Sequence, residues 1–137
     1  MKTIAIDFDG VIHKYSKGWH DGTCYDEPIE GAEEFLKKIM ENKDISVFIL
    51  STRSPWQIKN WIIENMSQTF GAMAVDCGQV WCGQDGYEVE IVPFWKKFWN
   101  KKDVLGITRR KLPAIAYIDD RAVKFNGDWK EIENSLI

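Results

Sequence analysis

The sequence predicts an α/β fold, a three-layer sandwich with a central parallel sheet and helices on both faces, and three observations carry that prediction. Short β-branched runs alternate with segments of helical periodicity, the pattern that strand–helix–strand crossovers need. Three of the runs end on polar residues, Asp7, Ser51 and Asp119, and open parallel sheets bind ligands at the carboxyl ends of their strands. The 137 residues, 45% hydrophobic and 28% charged, suit one domain over residues 1–137 with a single core.

The elements follow in order. Residues 2–7, Lys-Thr-Ile-Ala-Ile-Asp, read as a buried parallel strand, short and β-branched, ended by a polar cluster with Gly10. Residues 14–28 hold Gly18, Gly22, Pro28 and scattered aromatics without a period, and predict an irregular flap. From Gly31 to about Asn42, Phe35, Leu36, Ile39 and Met40 recur at helical spacing among charges, which predicts a surface helix. Ile45 to Leu50 is a second buried strand running into Ser51-Thr52-Arg53-Ser54-Pro55, where Ser54 as N-cap and Pro55 at the first helical position start a helix to about Ser67. Residues 71–92 fit a hairpin, or a strand with a loop, and allow a small insertion. Phe94 to Lys102 reads as a helix with aromatics on one side and lysines on the other, and Ala114 to Ile118 as a third strand ending in Asp119-Asp120.

Charge and composition exclude several classes. The net charge of -3 provides no overall basic field for nucleic acid. The charge is segregated, however: residues 96–111 carry seven basic residues against Asp103 alone, and residues 26–34 carry five acids and no base. The basic stretch reads first as a solvated face and second as phosphate steering. Neither a signal-peptide core nor an apolar run of about 20 residues is present, so no membrane partner and a cytoplasmic location are expected. Cys24, Cys77 and Cys82 lack C-x-x-C spacing, which favours reduced thiols that partly fill the core. The aromatics Trp19, Tyr25, Trp81, Trp95 and Trp99 are expected mainly as core and helix–sheet filling, with base stacking a lesser reading. His13 and His20 read as surface groups.

The chemistry concentrates in carboxylates. Asp7 and Asp9 stand two residues apart beyond a hydrophobic strand, with Gly10 to turn the backbone, and Asp119 and Asp120 end another strand. Convergence at one sheet edge would make these groups repel one another unless a hard cation were bound, and magnesium suits such oxygen ligands.

With Asp7-Phe-Asp9-Gly10-Val, a Ser or Thr closing the second strand, a lysine ahead of the last strand, and Asp119-Asp120, the chain resembles the haloacid dehalogenase superfamily in motif order and spacing over residues 2–129. The resemblance implies a Rossmann-like hydrolase domain with a flap and at most a minimal cap near residues 71–92, and a magnesium-dependent phosphatase as its activity. It implies that Asp7 attacks phosphorus to form an aspartyl-phosphate, and that Asp9 protonates the leaving oxygen and then activates water. Magnesium would be held by the Asp7 carboxylate, the Asp9 backbone carbonyl and Asp119, with Asp120 in support. Ser51 and Lys111 would bind the transferring phosphoryl group. Thr52 is the alternative hydroxyl, and Arg53 and Arg121 are candidates to bind phosphate or pin the carboxylates. An open site of this kind suits a phosphorylated small molecule or a nucleic-acid end as substrate. A non-catalytic, magnesium-dependent phosphoacceptor or phosphate-binding module is the alternative; the acceptor of signalling receiver domains, however, lies on a middle strand, which here ends in Ser51.

Overall fold

Three of the five strands of the main sheet are short runs whose alternate residues find apolar cover on opposite faces, as buried parallel strands require. The computed structural model describes residues 1–70, 74–76, 79–81 and 86–137. Its elements are β1 (Lys2–Asp7), α1 (Ala32–Met40), β2 (Ile45–Leu50), α2 (Pro55–Asn65), β3 (Ala74–Asp76), β4 (Gln79–Trp81), β5 (Glu88–Ile91), β6 (Val104–Thr108), β7 (Ala116–Ile118) and α3 (Trp129–Leu136). The main sheet is all parallel in the order β5-β6-β2-β1-β7, and β3 and β4 form a separate antiparallel pair.

One sheet face is covered as expected. Ile6, Val47, Ile49, Leu105 and Ile107 meet Leu36 and Met40 of α1, Ile58, Trp61 and Ile62 of α2, and Met66 just beyond it, in one buried cluster. The half-buried, free Cys24 packs against this cluster, as the core reading anticipates; Cys77 and Cys82 lie outside the described residues. Pro55 does open α2, but the Ser54 side chain makes no capping hydrogen bond.

The opposite face corrects the expectation of a second helical layer. The predicted helix over 94–102 does not form, and that stretch crosses the sheet as a non-helical strap. Trp99 is fully buried and belongs to a second cluster with Ala5, Phe48, Val92 and Leu112. Gly106 makes room for it: a Cβ there would lie 2.7 Å from the Trp99 ring. The Trp99 carbonyl accepts hydrogen bonds from the hydroxyls of Thr3 (2.9 Å) and Ser46 (3.0 Å), so the sheet beneath takes up the acceptor that a helix would use within itself. No residue of α3 is buried, so that helix adds no core to either face.

Two elements escaped the sequence pattern. Strand β6 interrupts its apolar run with Gly106, which weakens a strand signal, and α3 lies beyond the last motif. Within residues 71–92, which fit a hairpin or a strand with a loop, β3 pairs antiparallel with β4, and residues 88–91 form the edge strand β5, which belongs to the main sheet. Part of the 71–92 stretch, residues 71–73, 77–78 and 82–85, lies outside the described residues, as does the Trp81 side chain. No described helix is long and apolar enough to cross a membrane.

Candidate active site

Because β2, β1 and β7 are adjacent and parallel, the residues that end them meet at one edge. Asp7 closes β1, Ser51 follows β2, and Asp119 and Asp120 follow β7. They line a cavity of about 630 Å³ together with Asp9, Thr52, Arg109, Lys111 and Arg121. Of the site residues expected from the sequence, all but Arg53 line this one cavity.

Three of the four aspartates form a tight cluster. One carboxylate oxygen from each of Asp7, Asp119 and Asp120 lies within 4.8 Å of the others. Burial pushes the Asp7 carboxyl up to about 6, and the charges of Asp119, Asp120 and Asp9 add to the rise against a hydrogen bond from the Phe8 N–H. No lysine or arginine among the described residues forms an ion pair with any of the three. An all-oxygen, uncompensated donor set of this kind fits a hard divalent cation. Gly10 belongs to the same construction: its φ of 80° suits glycine, and a Cβ there would fall 2.2 Å from Asp120 Oδ2. The turn after β1 is thus shaped so that Asp120 can lie against its backbone.

The Asp9 carboxylate is held differently. Arg53 Nε donates to both of its oxygens at 2.8 Å, and His13 Nδ1 lies 3.0 Å from Oδ1. The backbone N–H of Asp26 donates to His13 Nε2 at 2.9 Å, so a neutral His13 carries its proton on Nδ1 and donates it to Asp9. Only Oδ2 is free of the imidazole. The side chain of Asp9 is therefore not one of the clustered carboxylates, and any share it has in a cation site passes through its main chain.

His13 is the residue the sequence reading misjudged. It is fully buried and stacked on Phe8 with ring centroids 5.1 Å apart, and burial lowers its pKa. Its sequence signal was only its place four residues after Asp9. Arg53 is equally buried and pins a carboxylate, one of the two roles considered for it. Its Nη1 donates to the Thr23 carbonyl at 2.8 Å, which ties the flap to the site. The flap is further braced by Asp26, which accepts from the backbone N–H and hydroxyl of Ser16, and by Trp61 Nε1, which donates to the Asp26 carbonyl. Tyr15 and Trp19 of the flap lie over the Arg53 guanidinium and line the cavity.

Among the residues expected to bind phosphate, Ser51 is buried and its Oγ accepts from the Arg53 N–H at 3.2 Å, leaving its own proton available to a ligand. Thr52 is exposed. Lys111 places its ammonium 4.8 Å from the Tyr117 ring centre, and Arg109 Nε donates to the Arg53 carbonyl at 3.3 Å. Chemically, the cavity joins a carboxylate held above its ordinary pKa, two further clustered carboxylates, a buried hydroxyl and positive side chains that can receive an oxyanion. Comparison of the chain with protein-family models, with curated proteins and with solved structures returns no match.

Proposed function

We propose that this protein is a magnesium-dependent phosphomonoester hydrolase of the haloacid dehalogenase type, acting through an aspartyl-phosphate. The observation that carries the reading is the convergence of Asp7, Asp119 and Asp120 beside Ser51 and Lys111 at one sheet edge. Asp7, Asp119 and the Asp9 carbonyl would hold the cation, with Asp120 in support; bound there, magnesium supplies charge neutralisation for an anionic phosphoryl group. An Asp7 carboxylate oxygen forms the new bond to phosphorus as the bond to the leaving oxygen breaks. Asp9 would give that oxygen a proton from Oδ2, which Arg53 Nε contacts but His13 does not. Water then attacks the acyl phosphate, Asp9 takes its proton back, and inorganic phosphate leaves with Asp7 restored. Ser51 and Lys111 hold the transferring oxygens, and Arg53 and His13 keep Asp9 aimed.

The test is phosphate release from a panel of sugar phosphates, nucleotides and phosphorylated oligonucleotides, with magnesium and with a chelator. Turnover that needs magnesium and drops at least about 10³-fold in Asp7→Asn is expected, since loss of the nucleophile removes the covalent route. Labelling of the protein by a phosphodonor without turnover would favour the phosphoacceptor reading instead.

A further inference from the structure

The strap between β5 and β6 turns its aromatic residues the wrong way for a core. Trp99 is buried, but Phe94, Trp95 and Phe98 are 87%, 66% and 54% exposed, and they alternate with Lys96 and Lys97. Their outward stance is fixed by the contacts beneath: Trp99 is seated over Gly106, and Arg110 Nη2 donates to the Pro93 carbonyl at 2.8 Å. Large apolar groups held out in water are unfavourable unless something covers them.

The position of the strap bears on what could cover it. All five strands of the main sheet are parallel and ordered β5-β6-β2-β1 from the edge, so the carboxyl ends of β1, β2, β6 and β5 follow one another along the edge that holds the cavity. Adjacent strands lie about 4.8 Å apart, which sets roughly 15 Å between the end of β1 and the end of β5. Arg109 and Lys111 line the cavity while Arg110, between them, reaches Pro93 at the root of the strap. A cationic loop therefore joins the phosphate site to the exposed aromatics. Lys96 and Lys97 stand among the exposed aromatics and Arg109, Arg110 and Lys111 follow β6 at the cavity edge, in a chain whose net charge is -3. Lys101 and Lys102, by contrast, precede β6 at the opposite edge, and Lys101 pairs with Glu90.

Cations at intervals with flat rings between them match a single-stranded polynucleotide, whose phosphates pair with the cations and whose bases stack on the rings. Base faces are free for such stacking only in a single strand. We infer that the substrate is the phosphorylated end of a single-stranded polynucleotide, its terminal phosphate at Asp7 and its following nucleotides laid along Arg109, Arg110, Phe94 and Trp95. This rests on the hydrolase reading for the fate of the phosphate, but not for the binding surface. Aromatics with lysines also suit a membrane interface, but a membrane would have no use for continuity with a phosphate cavity.

The experiment measures binding of a fluorescent ten-nucleotide oligothymidylate, bearing a 5′-phosphate, a 3′-phosphate or neither, to wild type and Asp7→Asn in magnesium. One phosphorylated form should bind more tightly than the unphosphorylated one, affinity should fall with salt, and Phe94→Ala/Trp95→Ala should bind about tenfold more weakly. Trp129→Ala, which removes an equally exposed indole on α3, is the control and should bind like the parent. Equal affinity in the Phe94→Ala/Trp95→Ala variant, or no preference for a phosphorylated end, overturns the inference. So does retention on phosphatidylserine vesicles through Phe94 and Trp95 without oligonucleotide binding. Magnesium-dependent turnover of small esters without oligonucleotide binding overturns the binding surface alone; strap-dependent binding with no turnover of any ester overturns the hydrolase reading and leaves the surface standing.

Discussion

A buried guanidinium needs a counter-charge, because removing one partner of a buried ion pair leaves the other desolvated and unpaired. Arg53 is fully buried, and Asp9 is its charged partner. Asp9→Ala is therefore expected to destabilise the fold by about 3–5 kcal/mol, measured by urea unfolding. Asp9→Ala unfolding at the wild-type midpoint would show that the pair carries no such weight. His13 adds acid sensitivity at the same spot. Burial depresses its pKa below 6.5, so the stability it contributes as a neutral ring is present above pH 6.5 and lost as pH falls through the lowered value. Asp9 and Arg53 were legible in the sequence as candidates by their places after strands. Their pairing was not, since 44 residues separate them.

At the scale of elements, β6 and the strap are one device. Gly106 removes a side chain from β6 where the Trp99 ring lies against the sheet, with the nearest ring atom 2.7 Å from a Cβ built there. Gly106→Val is expected to expel Trp99 and cost about 1–3 kcal/mol, by overpacking. Thermal unfolding together with a red shift of tryptophan emission is the check, and unchanged emission would show that the ring had stayed in place. The same contact explains why the aromatic period at residues 94–99 misled. Four aromatics at helical spacing imply one buried face, but only Trp99 finds a hole to fill, and Thr3 and Ser46 bind its carbonyl from the sheet. Packing overrode the local pattern.

For the whole molecule, the acidic cluster links stability to pH and, on the proposed reading, to metal. The folded state holds a proton on Asp7 more tightly than the ordinary value of 3.8, up to about 6, so without metal this group's contribution falls as pH rises from about 4 to about 6. Solvent screening reduces the loss to the order of 1 kcal/mol. Asp7→Asn is expected to melt higher than wild type at pH 7 without metal. Magnesium at about 100 times its Kd should stabilise wild type by about 2.7 kcal/mol, roughly 10 °C in Tm. The variant should gain much less. Equal magnesium shifts in the two proteins would remove Asp7 from the cation site.

β1, β2, β7, α1 and α2 are legible in the chain alone, because each strand is a short β-branched run and each helix carries a period of 3.6 residues, and the same runs place Asp7, Ser51, Asp119 and Asp120 where strands end. Parallel pairing of neighbouring strands then brings those ends together without further information. Tertiary structure alone decided that Arg53 and His13 grip Asp9, that a strap and not a helix covers the second face, and that Phe94 and Trp95 look outward. Those outcomes depend on which distant groups offer a partner charge, a free hydroxyl or an empty volume, and no local pattern of residues encodes them.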